Sequence, residues 1–140
     1  MFLWPVRVYY EDTDSGGVVY HANYMKFMER ARTEWLRSHG FEQDELARRD
    51  GVIFAVHRAS LAFLRPARFN DRLQVSVCLA GHGAASLDFI QEVRPQAGAG
   101  TRGEGAGVYC RGEVGVACLD AATLRPRRIP PCLRKILRDR

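Results

Sequence analysis

Only one segment of the chain has helical periodicity long enough to make a core helix. Apolar side chains recur at Tyr24, Phe27, Met28, Ala31, Trp35 and Leu36, the i, i+3, i+4, i+7 spacing of one helix face. Lys26, Arg30, Thr33, Glu34 and Arg37 take the other side. Asn23 reads as the N-cap, His39 falls in the last turn and Gly40 supplies the stop. A short helical turn over residues 42–49 follows. Whatever sheet this chain builds, this helix is its one available cover.

The rest has strand character. Residues 4–11 alternate Trp4, Val6, Val8 and Tyr10 with Pro5, Arg7, Tyr9 and Glu11, which predicts the first strand. Residues 51–64 form an apolar, β-branched run that ends before Pro66. In residues 72–82, Leu73, Val75, Val77 and Leu79 alternate with Gln74, Ser76 and Cys78. Residues 85–94 set Leu87, Phe89, Gln91 and Val93 against Asp88, Ile90, Glu92 and Arg94. A last strand runs over residues 107–119 through Val108, Val114, Val116 and Cys118. Before it, PQAGAGTRGEGAG has few side chains for a core and reads as a flexible hairpin tip. No repeat of fixed period is present.

One strand, one long helix and four strands in succession predict an α+β domain, a five-stranded antiparallel sheet wrapped around the helix. A length of 140 residues suits a single domain over 1–140. One helix covers only part of such a sheet, so the remaining face and edges invite a second copy.

Composition supports a soluble globule, with 46% apolar and 26% charged residues. The net charge of +5 is unevenly placed, since residues 125–140 hold seven basic side chains against Asp139 alone. The body is therefore close to neutral and the tail basic, which argues against nucleic acid as a partner. In that tail PPCLRKILRDR sets Cys132, Leu133, Ile136 and Leu137 on one face of a short helix. Its basic side is expected to meet solvent, a phosphate-bearing ligand or an acidic partner. No membrane span is expected, and the start MFLWPVRVYYED lacks the pattern of a signal peptide. Cys78, Cys110, Cys118 and Cys132 form no C-x-x-C pair, and because three of them lie in apolar strand-like stretches, buried, reduced thiols of a cytoplasmic protein are expected.

Chemistry is concentrated in residues 9–32, YYEDTDSGGVVYHANYMKFMERAR, where Glu11, Asp12, Asp14 and His21 precede the helix. A calcium loop starting at Asp12 fails, because Gly16 and Asn23 stand where ligands are needed. Asp12 and Asp14 also suit turn formers or partners of the helix dipole. A third reading is an active site. Gly16 and Gly17 let the backbone approach a ligand, the helix N-terminus offers unpaired N–H groups, and a carboxylate stands by as base or nucleophile.

The run Tyr10-x-Asp12-Thr13-Asp14-x-x-Gly17-Val18-Val19-Tyr20-His21-x-Asn23-Tyr24, with Glu29-x-Ala31-Arg32, resembles the signature of hot-dog-fold acyl-CoA thioesterases. The class is that of 4-hydroxybenzoyl-CoA thioesterase, and the Tol-Pal-associated subgroup is the nearest match. Residues 63–68 (FLRPAR), 115–120 (GVACLD) and 125–130 (RPRRIP) are similar to the same subgroup. The resemblance implies that Asp14 is the catalytic carboxylate and that the His21 backbone N–H polarises the thioester carbonyl. It further implies a part for the His21 imidazole, an active-site role for Tyr10, and substrate contact near Gly17 and Val18. Coenzyme A would be part of the substrate, with no metal or other cofactor, and the assembly a homodimer or homotetramer.

Glu29 reads as a helix or interface salt-bridge partner, His39 as a helix C-terminal cap and His82 as a hairpin residue. His57 suits core, interface or acyl pocket, and Arg58, Arg65 and Arg68 are candidates for coenzyme A phosphates. PQAGAGTRGEGAG is longer and richer in glycine than this subgroup's hairpin. A non-catalytic acyl-CoA or acyl-carrier-protein binding module is the rival reading, because a fold alone does not fix chemistry.

Overall fold

The computed structural model describes residues 1–96 and 107–138, so most of the glycine-rich hairpin tip lies outside the described residues. Five strands form one sheet: β1 (Phe2–Arg7), β2 (Val52–Phe63), β3 (Arg72–His82), β4 (Ser86–Pro95) and β5 (Cys110–Asp120). Every pairing is antiparallel and the order is β1-β3-β4-β5-β2. The one long helix, α1 (His21–Ser38), packs on β1, β3 and β4.

The predicted alternations place the core. Leu73, Val75, Val77 and Leu79 on β3, and Leu87, Phe89 and Val93 on β4, are buried beneath Tyr24, Phe27, Met28, Ala31, Trp35 and Leu36 of α1. Trp35 meets Phe89 edge to face, with ring centroids 5.3 Å apart. Each large apolar side chain so buried contributes about 1.5–3 kcal/mol, so this face fixes α1 on the sheet. At the far end the His39 N–H bonds the Leu36 carbonyl at 3.1 Å, and Gly40 follows at a φ of +91°.

β2 contains a register shift between Val56 and Arg58, leaving His57 as the extra residue. The bulge reverses side-chain parity: Phe54 and Val56 lie opposite Cys118 and Val116, whereas beyond it Ala59, Leu61 and Phe63 lie opposite Val114, Gly112 and Cys110. All of these share the helix side of the sheet. The Met28 side chain fills the space above Gly112.

Three boundaries differ from the sequence expectation. The first strand ends at Arg7 rather than residue 11, because Tyr10–Asp12 turn into a 3₁₀ helix in which Asp12 Oδ2 accepts the Tyr9 N–H at 2.8 Å. The last strand starts at Cys110, although the Tyr109 N–H already reaches the Val93 carbonyl at 2.7 Å. α1 starts at His21, so Asn23 is not its cap. Tyr20, in extended conformation, takes that place, while the buried Asn23 side chain donates to the Asp12 main-chain carbonyl at 2.8 Å. A tertiary bond has replaced the local one that the capping rule anticipates. The turn expected after α1 splits into Gln43–Glu45 and a π-helical turn, Leu46–Asp50.

The tail forms a 3₁₀ turn, Pro131–Leu133, and the short helix Arg134–Arg138, which together bury Leu133, Ile136 and Leu137 and leave Arg134, Lys135 and Arg138 exposed. Cys110 and Cys118 are buried, but Cys78 and Cys132 are exposed, which corrects the expectation for those two. Cys78 alternates with the core residues of β3 and so faces outward, and Cys132 lies in the turn ahead of the last helix.

Asn23→Ala removes a buried donor, yet the Asp12 carbonyl keeps the Tyr20 N–H at 2.9 Å, so no acceptor is orphaned. The expected loss is about 1 kcal/mol in urea unfolding, and a neutral result would show the clamp to be dispensable. Burial pushes the Cys110 thiol from its ordinary 9.0 up to about 11. The unfolded chain thus loses this proton first, and stability is expected to fall as pH rises from about 9 towards 11. Cys110→Ala should flatten that alkaline slope in thermal melts. Before unfolding, a thiol reagent should label Cys78 and Cys132 but neither Cys110 nor Cys118.

Candidate active site

Between β1 and α1 the chain makes a small hairpin. Thr13 and Val19 bridge antiparallel, the Asp14 N–H bonds the Val18 carbonyl at 2.9 Å, and the Gly17 N–H bonds the Asp14 carbonyl at 3.0 Å. Its three-residue tip ends in Gly17 at a φ of +80°, a left-handed conformation that glycine adopts without a Cβ clash. Asp14 Oδ1 accepts the Gly16 N–H at 2.8 Å, which fixes the exposed carboxylate on the turn. Oδ2 has no hydrogen-bond partner among the described residues.

The hairpin is fastened to the start of α1 through Asp12, whose carbonyl accepts both the Tyr20 N–H and the Asn23 side chain. The Asn23 N–H is taken by the Tyr20 carbonyl at 2.8 Å. Those of His21 and Ala22, one step earlier, have no carbonyl a full turn back to bond. Asp14 and these amides therefore share one end of the molecule, where the helix dipole favours developing negative charge.

Residues 64–71 form the second wall. The Val19 N–H reaches the Ala67 carbonyl at 2.8 Å, Val18 pairs with Arg68, and Val8 exchanges main-chain bonds with Asn70 and Asp71. Tyr10, exposed, stacks on Phe69 with centroids 3.8 Å apart and planes within 5°. The exposed His21 ring lies 4.4 Å from that of Tyr20 and 5.9 Å from that of Phe63. Buried Tyr24 accepts the Ala67 N–H on its hydroxyl at 3.1 Å, and burial raises the pKa of that hydroxyl.

Tyr10, Asp14, Gly17, Val18 and His21 thus come together on two adjoining loops and one helix end, with Arg68 beside them. Arg65 lies over the Tyr109 ring at 5.1 Å. Arg58 lies on the sheet face away from α1, paired with Asp88 at 2.9 Å across Gly115, and His57 closes on the same glycine. His82 ends β3 at the opposite end of the sheet, and Glu29 is exposed on α1.

A cleft of about 280 Å³ opens beside α1, above the strands it leaves uncovered. Trp35, Leu36, Phe54, Val56, Phe89 and Val116 give it apolar walls, and Arg32 and Glu29 stand on its helix side. Gln91 of β4, 0% exposed, accepts an Arg32 N–H on Oε1 at 3.0 Å and donates to the Met28 carbonyl at 3.1 Å. Burial lowers the Arg32 pKa, opposed by the nearby Glu29 charge. The sequence offers Arg32 as an i, i+3 partner of Glu29, but no ion pair joins them and Glu29 accepts the Thr33 hydroxyl at 2.7 Å instead, while Gln91 has no expected role beyond its place in the alternation. The available signal was a glutamine in register with Leu87, Phe89 and Val93, a polar group on a buried face that requires partners.

Among the described residues no group of His, Cys, Asp and Glu side chains is placed to hold a metal ion, and no helix is long and apolar enough to cross a membrane.

Comparison with known proteins gives this arrangement a family. Residues 8–137 match the thioesterase-like superfamily. The chain is 42% identical over 130 residues to the acyl-CoA thioester hydrolase YbgC of Escherichia coli O6:H1, covering 93% of this chain and 90% of that one. It is 36% identical over 129 residues to the acyl-CoA thioesterase YbgC of Haemophilus influenzae, covering 92% and 88%. The structure of a probable thioesterase from Bartonella henselae superposes with a TM-score of 0.80 at 31% identity, covering 91% and 98%. With a five-stranded antiparallel sheet around one helix and a match that spans nearly its whole length, the chain belongs to the thioesterase-like superfamily of hot-dog enzymes.

Proposed function

We propose that this enzyme hydrolyses acyl-CoA to a free carboxylic acid and coenzyme A, with Asp14 as the reacting carboxylate and the His21 N–H as oxyanion donor. The observation that carries this reading is the Asp14 carboxylate, held by Gly16 on a hairpin fastened to the open N-terminus of α1. The two YbgC relatives bear the same activity in their names.

A thioester carbonyl against the first amides of α1 gains charge as it is attacked, and donors so placed strengthen with that charge. One such donor is worth roughly 2.7–4 kcal/mol of barrier. Asp14 either takes a proton from an attacking water or attacks the carbonyl carbon itself, and both routes need the ionised carboxylate. A carbon–oxygen bond forms, the carbon–sulfur bond breaks, and the thiolate leaves and is protonated by solvent; on the route through direct attack, water then cleaves the acyl–Asp14 anhydride to free acid and restores the carboxylate. Gly17 and Val18 give the substrate close backbone approach. The His21 ring and the Tyr10–Phe69 stack border it with aromatic surface. Of the three candidate arginines, Arg58 and Arg65 are engaged with Asp88 and Tyr109, and the Arg68 side chain has no partner among the described residues, so Arg68 is the one placed to meet a coenzyme A phosphate.

The working unit is at least a pair of copies. β2 is a sheet edge of 12 residues, and beside it Val56, Phe63 and Leu64 are 43%, 52% and 57% exposed. A long apolar edge with open N–H and C=O groups is a template for pairing with another chain. An acyl carrier protein presents the same thioester, and its acidic surface would complement Arg134, Lys135 and Arg138. The thiols without a disulfide pattern suit a cytoplasmic setting.

Asp14→Asn should lower thiol release from acyl-CoA by at least about a hundredfold while leaving the melting temperature unchanged. Wild-type turnover in that variant would remove Asp14 from the chemistry. A wild-type protein that binds acyl-CoA and releases no thiol would establish the binding-module reading instead. In light scattering the protein is expected at two or more copies, and Val56→Lys should shift it towards monomer with a matching loss of turnover.

A further inference from the structure

Arg32 is a part-buried cation whose compensating charge, Glu29, lies beyond ion-pair distance. Its side chain runs from α1 into the cleft, largely removed from water, and its hydrogen-bond partner is the neutral Gln91. No carboxylate lies within ion-pair distance of it among the described residues. The Gln91 amide is locked, since its Nε2 is committed to the Met28 carbonyl and Oε1 therefore faces the guanidinium. Gln91 thus holds Arg32 in place by one N–H without neutralising it. The remaining donors stand at a cavity walled on its apolar side by Trp35, Leu36, Phe54, Val56 and Phe89, with Glu29, Thr33 and Gln43 on its polar rim. A partly desolvated cation beside an apolar cavity is costly until an acceptor enters.

The cleft also lies on a line with the reacting end of the molecule. β2 accompanies α1, with Phe63 beside His21 and Tyr24, and Val56 and Phe54 beside Arg32 and Trp35. Between them Ala59 and Leu61 lie on the same face of β2, with the Met28 side chain over Gly112. From His21 to Arg32 is eleven residues of helix, or about 16 Å along its axis.

We propose that the acyl group lies along this cleft and that Arg32, positioned by Gln91, selects acyl groups carrying a carboxylate at their far end. The proposal rests on the thioesterase reading above and adds the chemical class of the substrate. A guanidinium fork matches a carboxylate in two parallel bonds, and the apolar walls accept the methylene chain leading to it.

The test compares medium-chain acyl-CoAs with the mono-CoA thioesters of dicarboxylic acids of the same lengths. The wild type should favour the carboxylated member of at least one pair by about tenfold or more in kcat/KM, carried mainly in KM, as one charge-assisted contact provides. Arg32→Met should bring that ratio to about one. Gln91→Glu, which gives Arg32 an internal carboxylate, should abolish the preference with the guanidinium still present. Calorimetric binding of the same pairs to Asp14→Asn reads the preference without turnover, so it stands or falls separately from the assignment of catalysis. Equal handling of every pair by wild-type protein would overturn the proposal while leaving thioester hydrolysis intact. So would a preference that survives in Arg32→Met, or an Arg32→Met protein that dissociates and weakens on all substrates alike, since Arg32 would then serve contact between copies.

Discussion

Two N–H donors converge on the main-chain carbonyl of Asp12, the Tyr20 amide at 2.9 Å and the Asn23 side chain at 2.8 Å. Much of the local chemistry depends on this point. It ties the end of the first strand segment to the first turn of α1, and the hairpin bearing Asp14 has no choice but to stand ahead of the helix N-terminus. The Asp12 carboxylate is spent on the Tyr9 N–H at 2.8 Å. Two acids separated by one residue therefore divide the work: Asp12, buried, builds the corner, and Asp14, exposed, is left available.

The helix is held by a different force. Its apolar face is buried on β1, β3 and β4, and the non-directional character of that burial sets position but not the angle of the N-terminal loop. The angle comes from directional bonds, including the Tyr24 hydroxyl on Ala67 and the ladder from Val18 and Val19 to residues 67–68. Because α1 covers one side of the sheet, the edge strand β2 keeps Val56 and Phe63 open, and the cleft with Arg32 lies along this border.

Most of the sheet was legible because alternation is a strong signal wherever one face is buried: Leu73 to Leu79 and Leu87 to Val93 fall as read. β2 was harder. Its helix-side residues are even-numbered up to Val56 and odd-numbered from Ala59, which reads as a continuous apolar run unless a bulge is inserted, and His57 is that insertion. Asn23 was misplaced because a capping asparagine and one bonded to a distant carbonyl look alike in sequence. The Tyr10–Phe69 stack and the Gln91–Arg32 pair join residues 59 positions apart and could not be read from spacing, although Gln91 announced itself as a polar group on a buried face.

In one copy the proposed reacting groups stand in water. Asp14, His21 and Phe63 are all exposed, and donors at a helix terminus stabilise an oxyanion less in high dielectric than in a dry site. The edge that most needs a partner is also the one that ends here, since β2 runs from the cleft at Phe54 to Phe63 beside His21. Under the proposed pairing, a second copy along β2 would satisfy the open backbone and cover the apolar surface beside α1. The same contact would draw water away from the thioester. Assembly and catalysis would then be one event in energetic terms, because the surface that makes a lone copy sticky is the surface whose burial makes its hydrogen-bond donors effective.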